Sequence, residues 1–339
     1  MAEESLLWLF LLILLPIVAY LYRLFIQGAS YKKQNRIDGK VVIITGANTG
    51  IGKETAIELA KRGGKIYLAC RNKAKAIEAQ KDVIQQSGSS NVFVEILDLS
   101  SLESVRDFAK RFMTLEDHLD LLINNAGIMA CPKMLTKDGF EMQLGTNHLG
   151  HFLLTNLLLD HLKNSTPSRV VNVSSMAHLF GKINKDDLNS EKSYNSVNAY
   201  SQSKLANVMF TRELAKRLQG TGVTTYSLHP GVISTELTRH LSDGIFIIFQ
   251  KYFFYNFLRF FLNFIFVSSW LIRPLQYIFN KTPKAGAQTT LYCALDPDLE
   301  KESGKYYAEC KLDKINPLAL DDETCKWLWT TSEKLTKLQ

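Results

Sequence analysis

Residues 40–45, KVVIIT, run directly into TGANTGIG and then into KETAIELAKRG. An apolar, β-branched run without polar alternation is the mark of a strand covered on both faces, as in a parallel sheet. The residues after the turn place Ala56, Leu59 and Ala60 at helical spacing and stop at Gly63-Gly64, a helix closed by glycine. Strand, glycine turn and helix in that order predict the opening unit of a doubly wound, Rossmann-like α/β fold. Further apolar runs at KIYLAC (65–70), VEIL before Asp98, LDLLIN (119–124) and SRVVNV (168–173) extend the same parallel sheet, to about seven strands in all.

Gly46, Gly50 and Gly52 let the backbone turn tightly and approach a pyrophosphate, which the helix N-terminus then meets with N–H groups. The spacing is G-x-x-x-G-x-G and not the commoner G-x-G-x-x-G. About twenty residues beyond the turn, a carboxylate would hold the free ribose hydroxyl of NAD. Here Cys70, Arg71, Asn72 and Lys73 stand instead. A guanidinium at that point suits a 2′-phosphate, which favours NADP(H) over NAD(H). Two roles stand for Asp98, contact with adenine or capping of the helix that Leu99-Ser100 opens. Asn124, Asn125, Ala126 and Gly127 close the next strand, where the ligand crevice of such sheets lies.

Tyr200 and Lys204, in AYSQSKLANV, are four apart and share a helix face. A long polar loop separates this helix from Ser174-Ser175 at the end of SRVVNVSS. Transfer of a hydride to or from a carbonyl carbon needs a proton donor or acceptor at the oxygen. A tyrosine serves when a neighbouring ammonium favours its phenolate. Asn147 interrupts the long helical segment MQLGTNHLGHFLLTNLLL, where an amide side chain competes with the helix backbone. It is either a satisfied core amide or one that bends the helix and holds a water relaying protons to Lys204.

The ordered set TGANTGIG, DLS, NNAG, an Asn in a helix, SS, YSQSK and HPG (229–231) resembles the short-chain dehydrogenase/reductase family over about residues 38–310. ACRN, NNAGIM, TNHLGHFLLTNLLL, VVNVSSMAH and TTYSLHPGVISTEL are similar to its microsomal retinol dehydrogenase branch. The resemblance implies Tyr200 as acid-base, Lys204 orienting the nicotinamide ribose, Ser175 (ahead of Ser174) polarising the substrate carbonyl and Asn147 completing the relay. It implies that the nucleotide is held by Gly46, Asn48, Thr49, Gly50, Ile51, Gly52, Arg71, Asp98, Asn125, Ala126, Gly127, Tyr200, Lys204, Pro230, Gly231 and Thr235. The expected substrate is a lipophilic alcohol/aldehyde pair, retinol and retinal first, a hydroxysteroid or long-chain aldehyde second. A nucleotide-binding membrane scaffold is the non-enzymatic alternative, against which the intact Asn147, Ser175, Tyr200, Lys204 set argues.

Residues 6–22 are uninterruptedly apolar, and Leu24, Phe25 and Ile26 resume the run after Arg23. That approaches the ~20 residues that span hydrocarbon. Glu3 and Glu4 precede it, and Arg23, Lys32, Lys33 and Arg36 follow. An uncleaved anchor over residues 1–30 is expected, with a catalytic domain at 36–339 facing the cytosol from the endoplasmic reticulum membrane. Five cysteines without a C-x-x-C pair fit reduced thiols. His148 and His151 lack ligand-spaced partners, so no metal site is expected. The net charge of +7 is spread without blocks, suiting anionic lipid and cofactor phosphate better than nucleic acid. Residues 245–280 hold 14 of the 36 aromatic residues. An interfacial segment that also walls a lipophilic substrate, plain core packing and a second span are the three readings.

Overall fold

The computed structural model describes Phe10, Leu14, residues 17–233 and residues 280–338. Thr235 and all of the aromatic segment except Asn280 lie outside the described residues. Eight strands form one sheet in the order β3-β2-β1-β4-β5-β6-β7-β8. They are β1 (Val41–Thr45), β2 (Lys65–Cys70), β3 (Val92–Ile96), β4 (Leu121–Asn124), β5 (Ser168–Val173), β6 (Val223–His229), β7 (Tyr306–Ala308) and β8 (Lys311–Leu312). The first seven are parallel, as expected, and β8 turns back antiparallel on β7. The eighth strand is a two-residue edge that no apolar run announces.

Alternation along β1 shows why the run has no polar face. Val42 and Ile44 enter a core with Ala56, Leu59, Val83 and Leu291, while Val41 and Ile43 enter another with Phe108, Phe152, Phe210 and Trp329. Each face is covered by helices. On the first side lie α1 (Gly50–Lys61), α2 (Lys73–Ser87) and, from the far end of the chain, Pro283–Leu295. On the second lie α3 (Leu102–Leu115), α4 (Gly150–Leu157) and the 22-residue helix Ser196–Arg217, itself covered by Asp322–Thr336. The strand order reverses between β1 and β4, so their carboxyl ends open a crevice. Both Gly46 and Asn125 stand there.

The helical stretch around Asn147 is not one α-helix. Met142–Leu144 starts it, Gly145–Leu149 is a π-turn, and α4 follows. A π-turn inside a helix inserts one residue into the hydrogen-bond ladder, and it falls on the residue whose side chain competes with the backbone. The tyrosine helix begins at Ser196, four residues before Tyr200, with Asn195 accepting from the N–H groups of Val197 and Asn198. The five cysteines are free thiols. Among the described residues, no helix is long and apolar enough to cross a membrane.

Candidate active site

Gly46 and Gly50 have left-handed φ angles of +65° and +59°, which an L side chain rarely adopts. A Cβ on Gly46 would also lie 2.9 Å from the Ala126 Cα, and one on Gly52 only 2.6 Å from Asn125 Nδ2. The glycines thus let the turn pack against the end of β4. Thr49 begins α1 without a side-chain cap, and no acidic residue stands in the first turn. The N–H groups there, with the helix dipole behind them, suit an anionic phosphate.

From this turn a groove of about 580 Å³ runs past the ends of β2 and β3, lined by Asn48, Thr49, Ile51, Arg71, Asp98, Asn125, Ala126 and Gly127 among others. These residues fit a dinucleotide, and no carboxylate stands at the end of β2 to oppose a 2′-phosphate. Lys75 also lines the groove and was not foreseen; it lies one helical turn beyond Arg71, the spacing that could have revealed it. By contrast, Lys53 pairs with Asp82 at 2.9 Å, and Lys73 lines a neighbouring hollow with Glu95 and Asp107. Asp98 is not the helix cap. Its Oδ1 accepts from the Ser100 N–H (3.0 Å) and hydroxyl (2.6 Å), while Ser101 caps α3 by accepting from Ser104 N. The helix starts three residues later than the sequence suggested, at Leu102 and not Leu99, because Leu99 and Ser100 belong to the turn that Asp98 ties.

Tyr200 and Lys204 are each 3% exposed. Ser175, two residues past the end of β5, has a hydroxyl that accepts from Ala177 N at 3.2 Å and faces the Tyr200 phenol. Ser174 points elsewhere, donating to the Lys204 carbonyl at 2.7 Å. Lys204 Nζ donates to the Val173 carbonyl at 3.0 Å. Gly127 joins this end to the groove: a Cβ there would sit 3.4 Å from both Lys204 Nζ and Asn147 Oδ1. Tyr200, Lys204, Ser175, Pro230 and Gly231 do not line the groove itself. The loop before the tyrosine helix is held against it by Gln202, which accepts from Asn184 N and donates to the Leu188 carbonyl.

The Asn147 amide is fully engaged. Oδ1 accepts from Ile128 N (2.9 Å), and Nδ2 donates to the Ile128 carbonyl (3.0 Å) and to Ser203 Oγ (2.9 Å). Ser203 in turn donates to the Tyr200 carbonyl, so the asparagine is tied to the tyrosine's backbone and no side-chain bond runs from it to Lys204. Its own carbonyl accepts from His151 Nδ1 at 3.0 Å, and His151 Nε2 faces Thr45 Oγ1 at 2.8 Å. A carbonyl only accepts, so Nδ1 carries the proton and Nε2 takes the threonine's. Thr45 Oγ1 meanwhile accepts from both Asn125 N and Ala126 N at 2.9 Å. One buried chain therefore connects the π-turn, the first strand and the NNAG turn. Sequence reasoning missed Thr45 and His151, since each looks like an ordinary core residue.

Burial dominates the charges. The Tyr200 phenol is pushed up to about 12, with the Ser175 hydroxyl pulling the other way, and the Lys204 ammonium is pushed down to about 8. The expected lowering of the tyrosine by its lysine is thus reversed: both groups leave water, and each loses its charged form. Burial likewise holds His151 at about 3, neutral throughout the physiological range.

The short chain dehydrogenase family model matches residues 40–245. The chain is 50% identical to human (Homo sapiens) retinol dehydrogenase 12 over 322 residues, covering 95% of this chain and 94% of that one. It is 47% identical to mouse (Mus musculus) retinol dehydrogenase 11, covering 95% of each. A crystal structure of an uncharacterized protein from Mycobacterium paratuberculosis superposes with a TM-score of 0.70 at 36% identity, covering 91% of this chain and 98% of that one. With the glycine turn, the NNAG turn and the Tyr200–Lys204 helix placed as described, this chain belongs to the short-chain dehydrogenase family.

Proposed function

We propose that the protein interconverts retinol and retinal with NADP(H), using Tyr200 as the acid-base. The observation that carries this reading is the Ser175–Tyr200 hydroxyl pair beside Lys204, at the end of a groove whose glycine turn suits a dinucleotide. The name shared by relatives at 47–50% identity over nearly the whole chain points to the substrate. Arg71, at the rim, supports the preference for a 2′-phosphate. The bound nucleotide would supply or accept the hydride.

The residues of the chain handle the oxygen and its proton. Tyr200 is protonated at neutral pH, so its Oη–H is ready to reach a carbonyl oxygen as that atom gains negative charge. The Ser175 hydroxyl, on the same side, donates to the same oxygen. Lys204, charged below about pH 8, stabilises the phenolate left behind and would hold the nicotinamide ribose of a bound nucleotide. Asn147 keeps the backbone of the tyrosine helix and of Ile128 in register. It also belongs to the path that restores the tyrosine's proton. Pro230 and Gly231 would complete the hold on the nucleotide.

Residues 1–30 anchor the enzyme in the endoplasmic reticulum membrane, with the catalytic domain at 36–339 on the cytosolic side. In support, Phe10, Ile17, Val18, Tyr20, Leu21, Leu24 and Phe25 all expose their side chains, Phe25 to 80%. Leaving such surface in water forgoes about 25 cal/mol per Å². Membrane preparations incubated with NADPH or NADH and retinal, a steroid ketone or a fatty aldehyde, with the product identified, test the assignment. Faster turnover of the steroid or the fatty aldehyde would replace retinal as the substrate.

A further inference from the structure

The residues following the apolar run do not hang from the domain as a loose tether. Arg23 donates to the Asn280 carbonyl, and Gln27 Oε1 accepts from both Thr282 N (2.9 Å) and Thr282 Oγ1 (3.0 Å). The Ala29 N–H donates to Glu309 Oε2 at 2.9 Å. These partners are more than 250 residues away in sequence: Asn280 and Thr282 just before the helix Pro283–Leu295, and Glu309 in the turn between β7 and β8. Linkers that only connect make few such bonds.

The partners lead to the HPG turn. Lys281 N donates to the Val232 carbonyl at 2.9 Å, and Lys281 bridges Ile233. The Lys281 side chain is 8% exposed, ion-paired to Glu309, and lies over Gly231, where a Cβ would come 2.6 Å from its Cδ. Gly28 closes the stack from the other side. Its φ is +69°, and a Cβ there would overlap the Glu309 carboxylate and approach Lys281 Nζ to 2.6 Å. Gly28, Glu309, Lys281 and Gly231 thus stand in one line from the linker to the turn.

We infer that residues 23–29 are a positioning strap for the Pro230–Gly231 turn, so that the membrane-proximal linker sets nucleotide affinity. The inference rests on the reading of that turn as part of the nucleotide site. Without the strap, Glu309 loses its Ala29 donor, and with it the contact that fixes the carboxylate paired with Lys281 over Gly231. The backbone next to the nucleotide is then free to shift.

The test uses the full chain in detergent, with NADPH as probe, and compares the original protein with Gly28→Ala, Glu309→Gln and Gln27→Ala. The readouts are the nucleotide Kd, KM and kcat, and the melting midpoint without nucleotide. The expected result is a nucleotide KM and Kd raised about 5- to 10-fold in Gly28→Ala and Glu309→Gln and less in Gln27→Ala, with kcat within about twofold. Unchanged nucleotide affinity in all three variants overturns the inference. So does a fall in melting midpoint and kcat together without a change in KM, which would mark these residues as structural only. Failure of the unsubstituted protein to bind NADPH would overturn the functional reading itself, and the strap with it.

Discussion

The two halves of the crevice are built by different means. The nucleotide half, from Gly46 to Asp98, is a half-open groove shaped by backbone: left-handed glycines, a helix N-terminus without a side-chain cap, and Arg71 exposed at the rim. The catalytic half is buried, with Asn147 at 0% and both Tyr200 and Lys204 at 3% exposure. It is held by side chains bonded to side chains and to strand ends. A backbone site tolerates variation in everything but its glycines, whereas a wired site depends on each member having the right partner.

Turnover is where the halves should separate most. Tyr200→Phe deletes the proton donor and touches no phosphate, so kcat should fall by about 10²–10⁴ while NADPH binding stays within about twofold. Residual activity above roughly a tenth would remove Tyr200 from its role. On the other half, Arg71→Asp replaces the guanidinium by a repelling carboxylate. The ratio of kcat/KM for NADPH to that for NADH should then reverse, moving by about 10- to 100-fold for the loss of one charge-assisted contact. An unchanged ratio would transfer recognition to Lys75, the other lysine on the groove wall.

The pH profile sharpens the contrast from within the buried half. Lys204 is charged below about pH 8, and Tyr200 keeps its proton up to about 12. The alkaline fall of retinal reduction therefore belongs to the lysine: kcat should decline through about pH 8 as the ammonium that supports the phenolate is lost. In Lys204→Arg the charge persists beyond pH 12, so whatever activity remains should lose that limb. A limb that stays at pH 8 in the arginine variant would assign it to another group.

The glycine turn, the buried parallel strands and the Tyr-Lys helix were legible in the sequence because each leaves a local signature: glycine where φ must be positive, an unbroken apolar run where both strand faces are buried, i and i+4 on one helix face. What joins the motifs was not. Thr45 and His151 are 106 positions apart, and nothing in their neighbourhoods marks one as the other's partner. The direction of the tyrosine's shift was also hidden, since sequence shows a neighbouring lysine but not the depth at which both lie. The hidden wiring can be tested by its coupling. Thr45→Val leaves the Ala126 N–H without its acceptor, while Asn125 N keeps the Ile123 carbonyl at 3.0 Å, and His151→Phe removes the ring nitrogens that meet Thr45 Oγ1 and the Asn147 carbonyl, each lost partner costing about 1–3 kcal/mol. The double variant should be less destabilised than the sum, by about 0.5–3 kcal/mol in denaturant unfolding. Strict additivity would mean the two side chains act alone.

The smallest expected effect lies at the opening of α3, where the sequence expectation and the structure differ. Capping and nucleotide contact were both open to Asp98; the structure gives the cap to Ser101 and leaves the Asp98 carboxylate in the groove wall, tied to Ser100. The two functions should therefore come apart. Ser101→Ala removes the acceptor for Ser104 N and should cost about 1 kcal/mol of stability, with the nucleotide KM nearly unchanged because Ser101 faces away from that groove. Asp98→Asn keeps an oxygen for Ser100 and should leave stability close to the original protein. It removes the negative charge beside the nucleotide, so the nucleotide KM should move more than in Ser101→Ala. Thermal unfolding and nucleotide titration on the two variants give four values. If Asp98→Asn lowered the melting midpoint as far as Ser101→Ala did, with no change in KM, the aspartate would be a piece of helix-start architecture. The groove's wall at β3 would then owe its fit to shape alone.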